Sequence, residues 1–349
     1  MRASNALRIE RQRLAHLSPS TLAAWHALHA AHHSPGGAFL SFAYASAVQQ
    51  SLGVDVQVIL LWREEQLVGV LVVQRQPGWL GRFGLFEPVG GEMTDYFGML
   101  AMDDVRTNWQ DMLRAASVPC LYFTHLDETQ QRYGLGGEQP RTGLRTVIHP
   151  EGGRTHWERL RSIDKKLVSD TERRERKLAQ DHGETVFELQ SSQPAADLST
   201  LIALKNDQYL RTGKTGGPLL KIENVRLLQT LLGAQETGCR PVLSTLKVNG
   251  QMVAAHMGLV AGRTLHYWFP VYDERYARYS PGRVLMRNVL YASADVGIEV
   301  IDRGEGDTQA KREFATEEHR YGRGLVFVGW RGYLLGLYMR VQWRRAAAR

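Results

Sequence analysis

The chain repeats itself. Gly36-Gly37-Ala38-Phe39-Leu40 aligns with Gly216-Gly217-Pro218-Leu219-Leu220 at an offset of 180, and Gln49, Leu52 and Gly53 meet Gln229, Leu232 and Gly233 at the same offset. Ser20-Thr21-Leu22 meets Ser199-Thr200-Leu201 at 179, and Gln66-Leu67-Val68-Gly69 meets Gln251-Met252-Val253-Ala254 at 185. Each match alone is weak. Their shared order, drifting only where loops fall, implies two copies of one supersecondary plan. Whatever one copy builds, the other must also build. The length agrees: 349 residues exceed one ordinary compact core, so two domains is the default expectation.

Each copy reads alike. Helices over 22–31 and 198–210 lead through a Gly-Gly loop into second helices over 42–52 and 222–232, and strands follow. In the second copy, 242–248, 251–260 and 263–269 form a meander through the turns Asn249-Gly250 and Ala261-Gly262. Asn-Gly is a strong hairpin signal because both turn residues take positive φ. In the first copy, 54–62 and 67–73 flank an equivalent turn. Tyr279-Ser280-Pro281-Gly282 then opens a helix whose Leu285, Met286, Val289, Leu290, Ala292 and Val296 fall at helical spacing. Strands over 299–303 and 325–328 complete the reading. The fold class is α/β: two tandem layered domains, mixed sheets flanked by helices. The expected boundaries are 1–150 for the first half, 151–184 for a charged connecting helix and 185–330 for the second half. A basic amphipathic helix covers 331–349.

Composition restricts the function classes. Apolar residues make up 43% of the chain, which excludes wholesale disorder. The net charge of +7 is largely local, because residues 331–349 hold five arginines and no acid. Neither an RNP motif nor zinc-finger spacing is present, so a dedicated nucleic-acid binder is not expected. Two distant cysteines, Cys120 and Cys239, give no disulfide framework and no metal cluster, which fits a reducing cytoplasm. Residues 325–343 are apolar but interrupted by Arg331 and Arg340, so a spanning helix is not expected. A soluble cytoplasmic protein is the expectation, with the tail either packed on its own domain or lying at the inner membrane surface.

The stretch Ile301-Asp302-Arg303-Gly304-Glu305-Gly306-Asp307 ends an apolar run in an acidic, glycine-punctuated turn, and Lys311 and Phe314 follow. Such a turn sets carboxylates at a strand end and points a cation back toward them. Taken with Trp268-Phe269-Pro270-Val271-Tyr272, the Arg278–Gly282 loop and the helix after it, this order resembles the GNAT-fold acyltransferases of the FemAB-like group. Within that group it resembles the branch with a CelD-like acetyltransferase domain, linked to bacterial cellulose and other exopolysaccharide synthesis. The resemblance is strongest over 185–330 and looser over the whole chain.

The resemblance implies a fold of two tandem GNAT-like halves and an acyl-CoA donor, acetyl-CoA first. The loop of Arg278, Tyr279, Ser280, Gly282 and Arg283 would cradle the donor's pyrophosphate, although only one of the family's usual glycines, Gly282, is present. Backbone amides at a helix start suit an anion, and the arginines add charge-assisted bonds. The resemblance assigns Lys311 to the reacting carbonyl, where a cation stabilises a developing oxyanion. Asp302 and then Glu305 are candidate bases for an incoming ammonium. His256, mid-strand beside Met252, Ala254 and Gly258, is a further candidate base or a packed core histidine. Trp268 and Tyr272 line a substrate groove or a core. Thr94, Asp95 and Tyr96 resemble the first-half motif that shapes the acceptor groove. The implied acceptor is a sugar or cell-envelope precursor, with association to a polysaccharide synthase possible. Two alternatives stand beside this reading: an aminoacyltransferase using aminoacyl-tRNA, and a non-catalytic accessory subunit of a polysaccharide secretion system.

Overall fold

The computed structural model describes residues 7–32, 37–213, 216–234 and 238–347; Gly36 of the first Gly-Gly loop and the last two tail residues lie outside the described residues. The chain begins β1 (Arg8–Arg13), α1 (Pro19–Ala31), α2 (Phe42–Leu52), β2 (Val56–Arg63), β3 (Gln66–Arg75). It continues α3 (Trp79–Phe83), β4 (Leu85–Pro88), β5 (Met99–Ala101), α4 (Trp109–Ala115), β6 (Cys120–Asp127) and β7 (Glu138–Val147). Two helices, α5 (Gly153–Ile163) and α6 (Lys165–His182), precede β8 (Thr185–Glu188), α7 (Pro194–Arg211) and α8 (Ile222–Gly233). The meander β9 (Arg240–Val248), β10 (Gln251–Ala261), β11 (Thr264–Tyr272) follows, then α9 (Pro281–Ser293), β12 (Val300–Glu305) and α10 (Gln309–Arg312). β13 (Glu317–Phe327) and α11 (Gly329–Ala347) close the chain as described.

Two compact units result, one of residues 1–142 with 319–349, the other of 143–318. In the first unit the strands run β1-β2-β3-β4-β6-β13, antiparallel except for the parallel step from β4 to β6. In the second they run β8-β9-β10-β11-β12-β7, antiparallel except for the parallel step from β11 to β12. The sequence repeat is therefore a topological repeat, down to the 3-10 turns at Gly37–Leu40 and Pro218–Leu220 between each helix pair.

The closing strand of each sheet comes from outside its own copy. β6 is covered by β13, synthesised after the second unit, and β12 is covered by residues 143–147, which precede it. A strand paired on one edge only leaves a row of unmet backbone groups, and these borrowed strands satisfy them. The unit boundaries thus fall at 142 and 318 instead of the expected 150 and 330.

Local signals explain most elements. Ser18 and Ser41 cap α1 and α2 by accepting from Thr21 N and Tyr44 N, and Gly53 at φ 64° ends α2. Asn249 and Gly250, at φ 46° and 75°, make the hairpin turn between β9 and β10. The charged run, expected to be a solvated connecting helix, is instead two helices, α5 and α6, packed into the second unit. Trp157, Leu167, Val168, Thr171 and Leu178 are buried there. Their partners include Met286, Val289 and Leu290 of α9. Each large apolar side chain so buried contributes roughly 1.5–3 kcal/mol. Among the described residues, no helix is long and apolar enough to cross a membrane.

Candidate active site

The second unit opens where its parallel strands part. β11 and β12 pair only over Thr264–His266 and Val300–Asp302. Beyond that, β11 continues along β10 to Tyr272, while β12 continues beside β7 as far as the Glu305–Gly143 pair. A register shift between Met257 and Leu259 marks a bulge at this point, and bulges re-aim the side chains around them. A pocket of about 670 Å³ occupies the divergence. Val271, Leu285, Met286 and Phe314 give it apolar walls, and Lys205, Arg303 and Lys311 bring cations to it. The start of α9 reaches it through Ser280, Pro281, Gly282 and Arg283.

Arg303 sits on the same strand face as the buried Ile301, two residues before it, so its guanidinium is carried inward. It donates to the carbonyls of Ala310 (2.8 Å) and Lys311 (3.3 Å) and lies 5.9 Å from the ring centroids of both Tyr267 and Phe314. Its Nε finds no hydrogen-bond partner, and Glu313, the carboxylate whose charge acts on it, is gripped by Arg283. Burial lowers its affinity for a proton, yet a guanidinium keeps its charge. A half-buried cation of this kind, set at a pocket wall, is a place where an anion can be held.

Lys311 projects its ammonium back to the turn that precedes it, donating to the carbonyls of Glu305 (2.6 Å) and Gly304 (3.4 Å). Gly306, at φ 117°, lets the turn take a backbone conformation that other residues rarely adopt. Lys205, on α7, donates to the Pro270 carbonyl at 2.8 Å. Arg283 is committed differently. Its guanidinium grips the Glu313 carboxylate through Nε (2.8 Å) and a second, shorter bond, with Asp170 at 3.4 Å. That hydrogen bond to Glu313 raises the Arg283 pKa.

Of the residues expected from the sequence, Lys311, Ser280, Gly282, Arg283 and Tyr272 line the pocket. The others stand elsewhere. Arg278 turns to Asp181 and Tyr279, and Tyr279 is buried, donating to Asp181 at 2.7 Å. The acids of α6 thus draw these two side chains away from the anion site. Asp302 is fully buried and accepts from His266 Nδ1 at 2.6 Å, on the strand face opposite Arg303. It is no open base. Glu305 contributes its backbone carbonyl to Lys311. His256 is fully buried and stacked on Tyr267 with centroids 3.9 Å apart, and neither ring nitrogen has a partner. Burial, with His266 nearby, pulls its pKa down to about 3, so the ring is neutral at physiological pH. Trp268 is buried against Phe269.

Lys205 and Arg303 line the same pocket and were not among the residues expected from the sequence. Arg303 carried a readable signal, an arginine at an inward strand position after Ile301. Lys205 carried none, because a lysine on an amphipathic helix is ordinarily solvated.

The first unit has the same divergence between β4 and β6 but closes it. Phe97 bridges in parallel to Leu126, donating from its amide to the His125 carbonyl at 2.9 Å. Behind it Phe97, Trp109 and Phe123 stack with centroids 4.9–6.2 Å apart. Thr94 is buried in a network with Tyr44, whose hydroxyl lies 2.9 Å away, and with the Val89 carbonyl. Tyr96, also buried, meets His319 Nε2 at 3.1 Å, and Asp95 is half-buried beside them. In this unit the equivalent wedge is filled by packed side chains.

Residues 165–312 match the family model described as acetyltransferase (GNAT) domain. That segment is similar to GNAT-type acetyltransferase domains. It contains the meander, α9, β12 and Lys311, and so most of the pocket. No curated protein matches the chain. Among solved structures, a crystal structure of FemX superposes with a TM-score of 0.62 at 12% identity, covering 93% of this chain and 99% of that one. The C-terminal domain of a protein described as a lysylphosphatidylglycerol synthetase, from Agrobacterium fabrum, gives 0.52 at 10% identity, covering 92% and 95%. A tandem GNAT protein from the clavulanic acid biosynthesis pathway gives 0.49 at 11% identity, covering 93% and 100%. At these identities FemX and the Agrobacterium domain establish fold: two tandem GNAT-like units. Among the described residues no group of three histidines, cysteines or acids is placed to hold a metal.

Proposed function

We propose that the chain transfers an acyl group, acetyl in the simplest case, from an acyl-CoA held in the second unit to an amine or hydroxyl of a sugar or cell-envelope precursor. The observation that carries this reading is the pair of cations, the half-buried Arg303 and Lys311, in the pocket beside the start of α9. A thioester with a phosphorylated tail suits that lining. The apolar walls take the pantetheine arm, while Lys205 and the opening amides of α9 offer contacts to phosphate. The acceptor attacks the thioester carbon directly, charge gathers on the carbonyl oxygen, and the C–S bond breaks to release thiolate. Lys311 and Arg303 stabilise the oxyanion, and Tyr272, a residue of the pocket lining, protonates the departing sulfur. Glu305 is left as the carboxylate able to take the ammonium proton, since Asp302 is occupied by His266. The CelD-like branch and its exopolysaccharide setting fit this chemistry and remain part of the proposal, as does association with a polysaccharide synthase.

A second reading, with aminoacyl-tRNA as donor, draws on one observation. Pro281 at the first position of α9 removes an amide from the anion site, and Arg283 is already held by Glu313. Thermal-shift titration with acetyl-CoA, longer acyl-CoAs, charged tRNA and nucleotide sugars separates the readings. A ligand at a hundred times its Kd stabilises by about 2.7 kcal/mol. Stabilisation by an acyl-CoA supports the first reading, and by tRNA alone the second. Silence toward every donor at millimolar concentration would leave a non-catalytic accessory role.

A further inference from the structure

We propose that α11, together with α3, forms a docking face for an anionic lipid bilayer surface. α11 is apolar on two opposite sides. One stripe, Gly332, Leu335, Gly336 and Met339, is buried on the first unit against Leu85, Cys120 and Phe327. Gly332 and Gly336 let the helix lie close, since a Cβ at either would stand within 2.6 Å of the Pro119 carbonyl or the Phe327 ring. The opposite stripe is Trp330, Tyr333, Leu334, Leu337, Tyr338 and Val341, with exposures from 37% to 68%. α3 extends it: Trp79, 60% exposed, packs edge-on to Tyr338 at 5.3 Å. A helix that has already buried one apolar stripe has no folding reason to carry a second. Contiguous exposed apolar surface of this kind marks an interaction site.

Charge and residue type select the occupant. The three segments that meet around α11, residues 73–86, 112–126 and 319–349, contain no aspartate or glutamate. Arg331 and Arg340 fall on either side of the exposed stripe at helical spacing, both exposed, and Arg82 is exposed on α3. Arg331 stacks over Trp330 and Phe83 at 5.5 and 5.8 Å, and Arg340 over Phe327 at 5.3 Å, so each guanidinium is carried beside the aromatic surface. Tryptophan and tyrosine with flanking arginine is the pairing that settles at the headgroup level of a bilayer. Phosphate headgroups supply the charge that no acid on this face supplies. With no spanning helix among the described residues, the contact is peripheral.

The test is flotation of the purified chain with phosphatidylcholine vesicles, with and without phosphatidylglycerol. Each arginine near an anionic surface contributes about 1 kcal/mol, so phosphatidylglycerol should tighten binding on the order of tenfold or more and added salt should reverse the gain. Tryptophan emission should shift to the blue on binding. Trp330→Glu combined with Leu334→Glu, both at solvent-facing positions, should abolish flotation and leave the melting temperature unchanged. Arg331→Gln with Arg340→Gln should remove the preference for phosphatidylglycerol. Equal binding to both vesicle types, or none, overturns the proposal. So does concentration-dependent dimerisation in solution that the glutamate pair removes, because the face would then be an interface between copies.

Discussion

A guanidinium whose Nε is buried without a partner gains little stability from its place, and Arg303, half-buried, is met among the described residues by two carbonyls, two aromatic rings and the charge of Glu313. Arg303→Met should therefore leave stability unchanged or raise it by about 1–2 kcal/mol. Acyl transfer should fall by at least about a hundredfold. Denaturant titration and a turnover assay on the same preparation read both; loss of stability in step with loss of activity would make Arg303 a structural cation. Lys311 differs, because its ammonium bridges a turn and faces the pocket. Lys311→Ala should lower kcat on the order of a hundredfold to a thousandfold with a melting shift of only a few degrees. Equal turnover in the variant removes it from the chemistry. His256 bears on pH. Its folded pKa of about 3 lies below the ordinary 6.5, so the unfolded chain binds the extra proton first. The stability this gives is complete above the ordinary value and is lost as pH falls toward the folded one. His256→Gln should lessen the drop in melting temperature between about pH 7 and pH 4 without altering the pH profile of kcat near neutrality. A changed kcat profile would return His256 to the list of bases.

At the scale of elements, the decisive event is the parting of one parallel strand pair. In the second unit it is left open and walled by α9; in the first it is bridged by Phe97 and packed with Trp109 and Phe123. The meander, the helix pairs and the strand carrying Asp302 were legible because each has a clean period and strong turn chemistry at Asn249-Gly250 or Pro281-Gly282. Lys311 was legible because it follows a glycine-punctuated turn. β7 was not, since Glu138-Gln139-Pro140-Arg141 has neither apolar alternation nor a strand-like composition, and its place is set by the edge it covers. The fate of Arg278 and Arg283 was equally hidden. Their ion-pair partners on α6 and beyond α10 lie 97, 113 and 30 residues away in sequence. If the donor carries pyrophosphate, it competes with Glu313 for Arg283. Glu313→Gln should then tighten acyl-CoA binding several-fold by calorimetry while lowering stability by about 1–3 kcal/mol. Weaker binding in that variant would mean that Glu313 serves the donor directly.

For the molecule as a whole, the exchanged edge strands decide what can be separated. A fragment ending at residue 150 keeps β6 but lacks β13, so a bare sheet edge and the apolar surface beneath α11 are exposed. It should aggregate. Residues 1–142 joined through a flexible linker to 319–347 should fold cooperatively, and 143–318 alone should fold and retain donor binding. Circular dichroism melts and light scattering on the three fragments decide this; a soluble, cooperative 1–150 fragment would show that β13 is dispensable. A design that moves the second unit to another protein has to carry residues 143–147 with it, whereas β13 has to stay with the first.

The same exchange sets a timetable on the ribosome. The part of the chain made first, residues 7–142, cannot finish its sheet until residues 319–327 have emerged, whereas the segment made second has all its strands as soon as residue 305 is out. The second unit should therefore mature ahead of the amino-terminal one, inverting the usual vectorial order. During that interval β6 waits with an unpaired edge, and a nascent-chain chaperone or slow translation through 143–318 would matter most then.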